Sequence, residues 1–334
     1  MIESQLLETG KASPEARPAA PTVSVVIPSY GRRESLSRAL QALCAQTLPR
    51  DLFEVIVCDD GSPEPLEPAI AHFDDRLALT VVRQTHAGPA AARNEAARHA
   101  SGRILAFTDD DCVPAEDWLQ LLVERHDRHR GHLVGGSIVN LLPNDPYATA
   151  TQNIMSCVYE YYARHTEGRR FYATTNLSVP ASRFWLLEGF SEQYSRAARE
   201  DYDFCARWQE AGFLHAYAPE VEVGHAHRHT LHSFWSQHFG YGRALLRVRQ
   251  GIAQRQGHFG IELESPRFYR QILTYPLRHA RGVRALRDAM LVVLSQVATV
   301  SGAVHEWISG SGDWTSSSRA VGEHSSSRTS SAIP

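Results

Sequence analysis

The chain has 334 residues, 43% of them hydrophobic and 21% charged, with a formal net charge of −3. That composition fits an ordinary globular protein of one large or two moderate domains and excludes a disordered or fibrous chain. The slight acidic balance removes the electrostatic case for nucleic-acid binding, which needs a strong basic surplus. Lys11 is the one lysine among 34 basic residues, and arginine suits diphosphate recognition through its planar fork of donors. Five cysteines, Cys44, Cys58, Cys112, Cys157 and Cys205, lack paired spacing, which points to a reduced, cytoplasmic protein. Residues 1–21 carry no apolar run of signal-peptide type and read as a disordered lead.

Order begins at Thr22. Residues 23–28, Val-Ser-Val-Val-Ile-Pro, form a β-branched run stopped by proline and followed by Ser29-Tyr30-Gly31. This predicts a buried strand ending in a turn. Over 34–46 the apolar residues Leu36, Ala39, Leu40 and Leu43 recur at helical spacing. Residues 54–58 predict a second strand, broken by Asp59-Asp60-Gly61-Ser62-Pro63, and 77–82 a third. An Ala-rich helix is expected over 89–100, with Gly102 suited to its C-terminal cap. Residues 104–107 predict a fourth strand running into Thr108-Asp109-Asp110-Asp111. A helix over 115–129 then leads to a strand over 132–139. Residues 141–250 are less periodic and richer in aromatics and histidine, and 263–308 look helical. The uncharged run 289–304 falls short of the ~20 residues that span a bilayer. It reads as an interfacial or packed amphipathic helix, with a span as the alternative. The Ser-rich stretch 309–334 reads as a disordered tail.

Strands alternating with helices imply βαβ units and a Rossmann-like, mainly parallel sheet with helices on both faces. Ligands bind such sheets beyond the carboxyl ends of the strands, where both acidic clusters fall. No G-x-G-x-x-G follows a predicted strand. Asp109 and Asp111, one residue apart after a buried strand, can converge on one divalent cation that bridges a diphosphate. A solvated turn capping the next helix is the bland alternative. Asp59-Asp60-Gly61-Ser62 alone is a plain Asp-Gly turn.

Taken together, Val25-Val26-Ile27-Pro28-Ser29-Tyr30, then Val55-Ile56-Val57-Cys58-Asp59-Asp60-Gly61-Ser62, then Gly88-Pro89-Ala90-Ala91-Ala92-Arg93-Asn94, then Asp109-Asp110-Asp111 resemble the family 2 glycosyltransferases of GT-A fold. The resemblance covers roughly 22–250 and departs at Gly31, where many relatives carry Asn. It implies a nucleotide-sugar-binding half over 22–140, an acceptor-binding half with the catalytic base over 141–250, and a helical extension over 251–308. It also implies an inverting, metal-assisted enzyme using a nucleotide-sugar donor, of which UDP-sugar is the expected kind, and a divalent cation, Mn or Mg. Three acceptor classes are left open: glycan, lipid-linked and small-molecule.

By that resemblance Pro28, Tyr30, Asp59, Asp60, Arg93, Asp109 and Asp110 lie around the donor, and Asp111 with Asp109 and His225 holds the metal. Asp110 is expected to point elsewhere than the metal. Arg93 has a rival reading as an exposed helix residue paired with Glu95 or Glu116. A carboxylate near the base could accept from a uracil N–H, with Gly61 allowing close backbone approach.

Glu200-Asp201-x-Asp203 opens an amphipathic helix capped by Gly212, and first-turn acids stabilise a helix by about 0.3–1 kcal/mol whatever else they do. The resemblance, which includes the preceding Gly189-Phe190, makes Asp201 the general base and Glu200 its neighbour. His225-x-His227-x-His229 shares one face if extended and could bind a metal, and an imidazole ligand favours manganese. The aromatic stretch Phe234-Trp235 to Tyr241 is expected to pack the halves together or line the acceptor cleft. A sugar-phosphate nucleotidyltransferase and a non-catalytic nucleotide-sugar-binding protein of the same fold are the competing readings. The expected location is the cytoplasm, with peripheral membrane contact through the C-terminal helices as an option on its cytoplasmic face.

Overall fold

The computed structural model describes residues 20–165, 171–194, 199–226, 228–257 and 263–310. His227 and nearly all of the expected lead and tail lie outside the described residues. Eight strands form one sheet in the order β3-β2-β1-β4-β7-β6-β8-β5. They are β1 Val23–Ser29, β2 Phe53–Asp59, β3 Leu79–Arg83, β4 Ile104–Phe107, β5 Cys112–Pro114, β6 Leu133–Asn140, β7 Leu177–Pro180 and β8 His215–His225. The helices are α1 Arg33–Cys44, α2 Glu67–Ile70, α3 Pro89–Arg98, α4 Trp118–Arg128, α5 Pro146–His165, α6 Ala181–Leu186, α7 Glu200–Glu210, α8 Leu231–Arg255, α9 Pro266–His279 and α10 Gly282–Gly310. The five strands and three helices predicted up to residue 140 all form, with ends within three residues of expectation.

The first four strands pair in parallel, and β6 pairs β8 in parallel. Antiparallel pairing enters with β7, which joins β4 and β6, and with β5, which joins β8. The sheet is therefore mixed, with four adjacent parallel strands from the N-terminal half and a separate parallel pair, β6 and β8.

Strand runs such as Val23–Ile27 are apolar throughout because both faces are covered. Val23, Val25 and Ile27 pack with Leu36, Leu40 and Leu43 of α1 and with Trp118 and Leu122 of α4. Val26 points the other way, among Phe107, Phe184, Phe190, Phe204 and Trp208. Each fully buried leucine of α1 contributes about 1.5–3 kcal/mol from the area it removes from water. Leu40→Ala would cost about 2–5 kcal/mol once the cavity is included.

Two glycines show how local pattern and packing divide the work. Gly212, at φ +75°, ends α7 in a Schellman motif, with Gly212 N–H donating to Gln209 O at 2.9 Å and Phe213 N–H to Trp208 O at 3.1 Å. Gly102 does not cap α3, which ends at Arg98 with His99 as its cap. A Cβ on Gly102 would lie 2.7 Å from Ser24 N. Its requirement is close approach to β1, a contact 78 residues away in sequence and invisible to local reasoning.

Candidate active site

The carboxyl ends of β1, β2, β3 and β4 share one edge of the sheet, because all four run parallel. Ser29, Asp59, the segment 84–88 and Asp109–Asp111 follow those ends. Since β7 runs antiparallel to β4, with Leu177 opposite Phe107, the residues just before β7 arrive at the same edge. Thr175 accordingly donates to Asp109 Oδ2 at 2.9 Å.

A cavity of about 610 Å³ opens there. It is lined by Pro28, Tyr30, Asp60, Arg93, Asp109, Asp110 and Asp111, and equally by Glu200, Asp201 and His225. Among the expected site residues Asp59 is the exception. Its buried carboxylate accepts from Ser62 N–H, Leu66 N–H and Arg83 Nη1 and does not line the cavity. Those donors and the Arg83 charge outweigh burial and hold Asp59 below the usual carboxylate range. Both oxygens of Asp60 are also taken, by Gln84 Nε2, Ala87 N–H and Gly88 N–H, so it shapes the loop after β3. Gly61, at φ +77°, is needed because a Cβ would sit 2.7 Å from His86 N. The close approach it permits is by the chain's own 84–86 segment.

Arg93 is buried and pairs with neither Glu95 nor Glu116. Its Nη2 donates to Asp109 Oδ1 at 2.6 Å and its Nη1 to Glu200 Oε1 at 2.5 Å. Burial works against its charge, and the two carboxylates more than offset that, raising its pKa. The bridge ties the end of β4 to the first turn of α7, across 107 residues of sequence between Arg93 and Glu200. Asn94, next on α3, donates to Phe190 O and accepts from Phe190 N–H. Gly189, at φ +69°, lets that segment close on Asn94.

Asp110 accepts from Ser29 Oγ at 2.7 Å and from Arg32, away from the His225 side of the cluster. Burial pushes its carboxyl up to about 6, against the Arg32 charge. Asp111 Oδ1 lies 3.2 Å from His225 Nε2, and Arg32 Nη1 donates to its other oxygen at 2.9 Å. Asp111, Cys112 and His225 form a cluster with donor atoms within 4.8 Å of one another. Cys112 is buried and does not line the cavity, leaving Asp111 and His225 as the cavity-facing pair. Asp109 is not in that cluster, and its two oxygens accept from Arg93 and Thr175. One carboxylate and one imidazole form a set that suits a divalent first-row ion better than magnesium.

The extended segment stops at His225, where β8 pairs with Cys112. His229 instead lies before α8, with Nδ1 3.4 Å from Ser233 Oγ, so it does not share a strand face with His225.

Asp201, in the first turn of α7, accepts from Tyr202 N–H at 2.8 Å. Burial, reinforced by the adjacent Glu200 charge, pushes its carboxyl well above the usual range. Glu200 Oε2 accepts from Arg199 N–H, and Arg199 holds a positive φ of 124°. From α8, His238 and Tyr241 line the cavity, while Phe234 is buried against Tyr147 of α5, a contact within the 141–250 region rather than between the halves. Sequence reading passed over Arg32, His86, Thr175 and Arg199, all cavity residues. The position of His86 after β3, at the carboxyl edge, was the one available signal. Its ring lies against Tyr30 at a tilt of 37°, with centroids 4.6 Å apart.

The model of the family described as Glycosyl transferase family 2 matches residues 24–191. Glycosyltransferase AglE of Haloferax volcanii is 33% identical over 162 residues, 48% of this chain and 52% of that protein. Validoxylamine A glucosyltransferase of Streptomyces hygroscopicus subsp. jinggangensis is 28% identical over 248 residues, 65% of this chain and 58% of that protein. The chain thus spans little more than half the length of these curated relatives. Mannosyltransferase PcManGT from Pyrobaculum calidifontis, solved in complex with GDP-Man and Mn2+, shares the fold with a TM-score of 0.61 at 18% identity, over 89% of this chain and 91% of that one. With half its length matched by the family model and its acidic motifs gathered on one cavity, the chain belongs to glycosyl transferase family 2.

Proposed function

We propose that the protein transfers a sugar from a nucleoside diphosphate donor, a UDP-sugar first among them, to an acceptor hydroxyl with inversion at the anomeric carbon. The observation that carries this is the Arg93 bridge, which joins Asp109 to Glu200 and so holds the two acidic stretches around one cavity. Asp201 takes the proton of the acceptor hydroxyl as that oxygen bonds to the anomeric carbon. The bond to the diphosphate breaks on the opposite face, and the nucleoside diphosphate leaves with the electron pair. A carboxylate whose pKa is raised by burial and by Glu200 is a stronger base near neutral pH, worth about 10²–10⁴-fold in rate. Asp111 and His225 would hold a divalent cation, manganese before magnesium, and Mn2+ in the PcManGT complex is consistent with that choice. When bound, such an ion offsets the charge growing on the leaving diphosphate. The paired rings of Tyr30 and His86 offer a stacking face for the nucleotide base, while Pro28, Asp110 and Arg93 shape the donor end. We assign the enzyme to the cytoplasm.

The test is a panel of nucleotide sugars with manganese, followed by thermal shift and by slow donor hydrolysis. One donor should raise the melting temperature and be hydrolysed only when metal is present. Pyrophosphate release from a nucleoside triphosphate would replace this reading with nucleotidyl transfer. A donor that binds but is never hydrolysed or transferred in any acceptor mixture would point to a binding protein.

A further inference from the structure

The cavity does not end at the carboxylates. Its walls continue through Met155 and Val158 of α5, Phe268 and Ile272 of α9, and Val300 of α10, an apolar arm beside the proposed base. Leu263, Tyr269 and Val300 line this arm and are 75%, 38% and 62% exposed, so its apolar wall reaches the surface. From there a stripe runs along α10. Every third or fourth residue from Val283 to Trp307, including Leu286, Met290, Val293 and Val297, is apolar and 48–85% exposed. At 1.5 Å per residue that is roughly 36 Å of uncovered apolar surface.

By length and composition α10 could cross a membrane, but its other face is built into the protein. A Cβ on Gly242 would lie 1.8 Å from Thr299 O, and one on Gly302 2.0 Å from Phe239 O, so α8 and α10 touch backbone to backbone. Glu306 is buried between Arg243 and Arg247 of α8, and buried Asp288 pairs with Arg287. A helix tied to α8 by the Glu306 ion pairs and by backbone contact lies along the body. Charge then identifies what covers the free face. Between residues 265 and 310 the acids are Asp288 and Glu306, both buried and paired, whereas Arg267, Arg270, Arg278, Arg281 and Arg284 are exposed. On α9 and α10 the exposed apolar side chains are flanked by exposed arginines and by no exposed carboxylate, which matches an anionic lipid surface. A second copy would instead bring two cationic faces together without compensating carboxylates.

We propose that the α9–α10 face lies in the plane of an anionic lipid surface, with the apolar arm opening toward it to admit an acceptor that carries a hydrocarbon tail. The acceptor part rests on the transferase reading; the docking part does not. The full chain should co-sediment with phosphatidylcholine vesicles containing phosphatidylglycerol, and bind far less to phosphatidylcholine alone. The Met290→Glu/Val297→Glu double variant should stay in the supernatant with its melting temperature and metal-dependent donor hydrolysis intact. Arg278→Gln/Arg281→Gln should weaken partitioning about thirtyfold. Failure to bind either vesicle would overturn the proposal. So would a native dimer that the Met290→Glu/Val297→Glu substitutions convert to monomer, which would give the face to a second copy. Vesicle binding without donor hydrolysis would sustain the docking and sink the transferase reading, so the two fail separately.

Discussion

Asp59-Asp60 at the end of β2 and Asp109-Asp110-Asp111 at the end of β4 stand on the same sheet edge, on either side of β1. In the first cluster backbone groups do most of the binding: Ser62, Leu66, Ala87 and Gly88 donate their N–H groups to the two carboxylates. In the second the donors named above are side chains: Ser29, Arg32, Arg93, Thr175 and His225. A backbone donor cannot leave without unfolding its turn, while a half-exposed side chain such as Arg32 can rotate aside when a cation or diphosphate arrives. The difference teaches that equal-looking acidic motifs divide into a brace for the fold and a set of exchangeable contacts for chemistry.

Substitution can break that comparison. The largest effect should fall on Asp201, the proposed base. Asp201→Asn should lower transfer by about 10²–10⁴-fold while calorimetric donor affinity stays near normal; near-normal transfer would refute the base assignment. Asp111→Ala should follow, lowering donor affinity in manganese by roughly a hundredfold and abolishing its response to chelator, with little change in melting temperature. Asp59→Ala should do the reverse. Two buried N–H groups would lose their acceptor, costing about 2–4 kcal/mol in urea denaturation, with turnover per folded molecule retained. If Asp59→Ala spared stability and removed donor binding, the division between brace and chemistry would be wrong. Gly61→Ala should cost about 1–3 kcal/mol, from its positive φ and the approach of His86.

The smallest effect sharpens the comparison through pH. The folded pKa of Asp201 is raised above its unfolded value, so the folded state holds the proton more tightly and loses stability as pH rises through that range. Transfer should therefore climb with pH over the same window in which Asp201 costs stability. Asp201→Asn should be more stable than wild type at neutral pH, with the difference shrinking as pH falls from the raised range to the ordinary carboxylate value and gone below it. Melting temperatures of the two proteins across pH would check the sign.

Strand and helix placement before residue 140 was legible because β-branched runs, helical spacing and Asp, Gly and Pro breakers act over a few residues. β4 over Ile104–Phe107 and α3 from Pro89 were read almost residue for residue. Beyond 140 the pattern weakened, since α5 and α8 bury aromatics on several sides and lose a clean period. The three-histidine face misled because β8 ends at His225, and strand termination there depends on its pairing with Cys112 and Asn140.

What the sequence determined by itself was the alternation of strands and helices and the delivery of acidic residues to the carboxyl ends of those strands, because both follow from local periodicity and turn chemistry. Tertiary structure decided which carboxylates are saturated and which face the cavity. It decided that Arg93 spans from Asp109 to Glu200, that Gly102 exists for Ser24, and that α10 turns an apolar face outward. Those outcomes depend on which groups meet across tens to more than a hundred residues, and such meetings are set by the packing of the whole sheet and its helices.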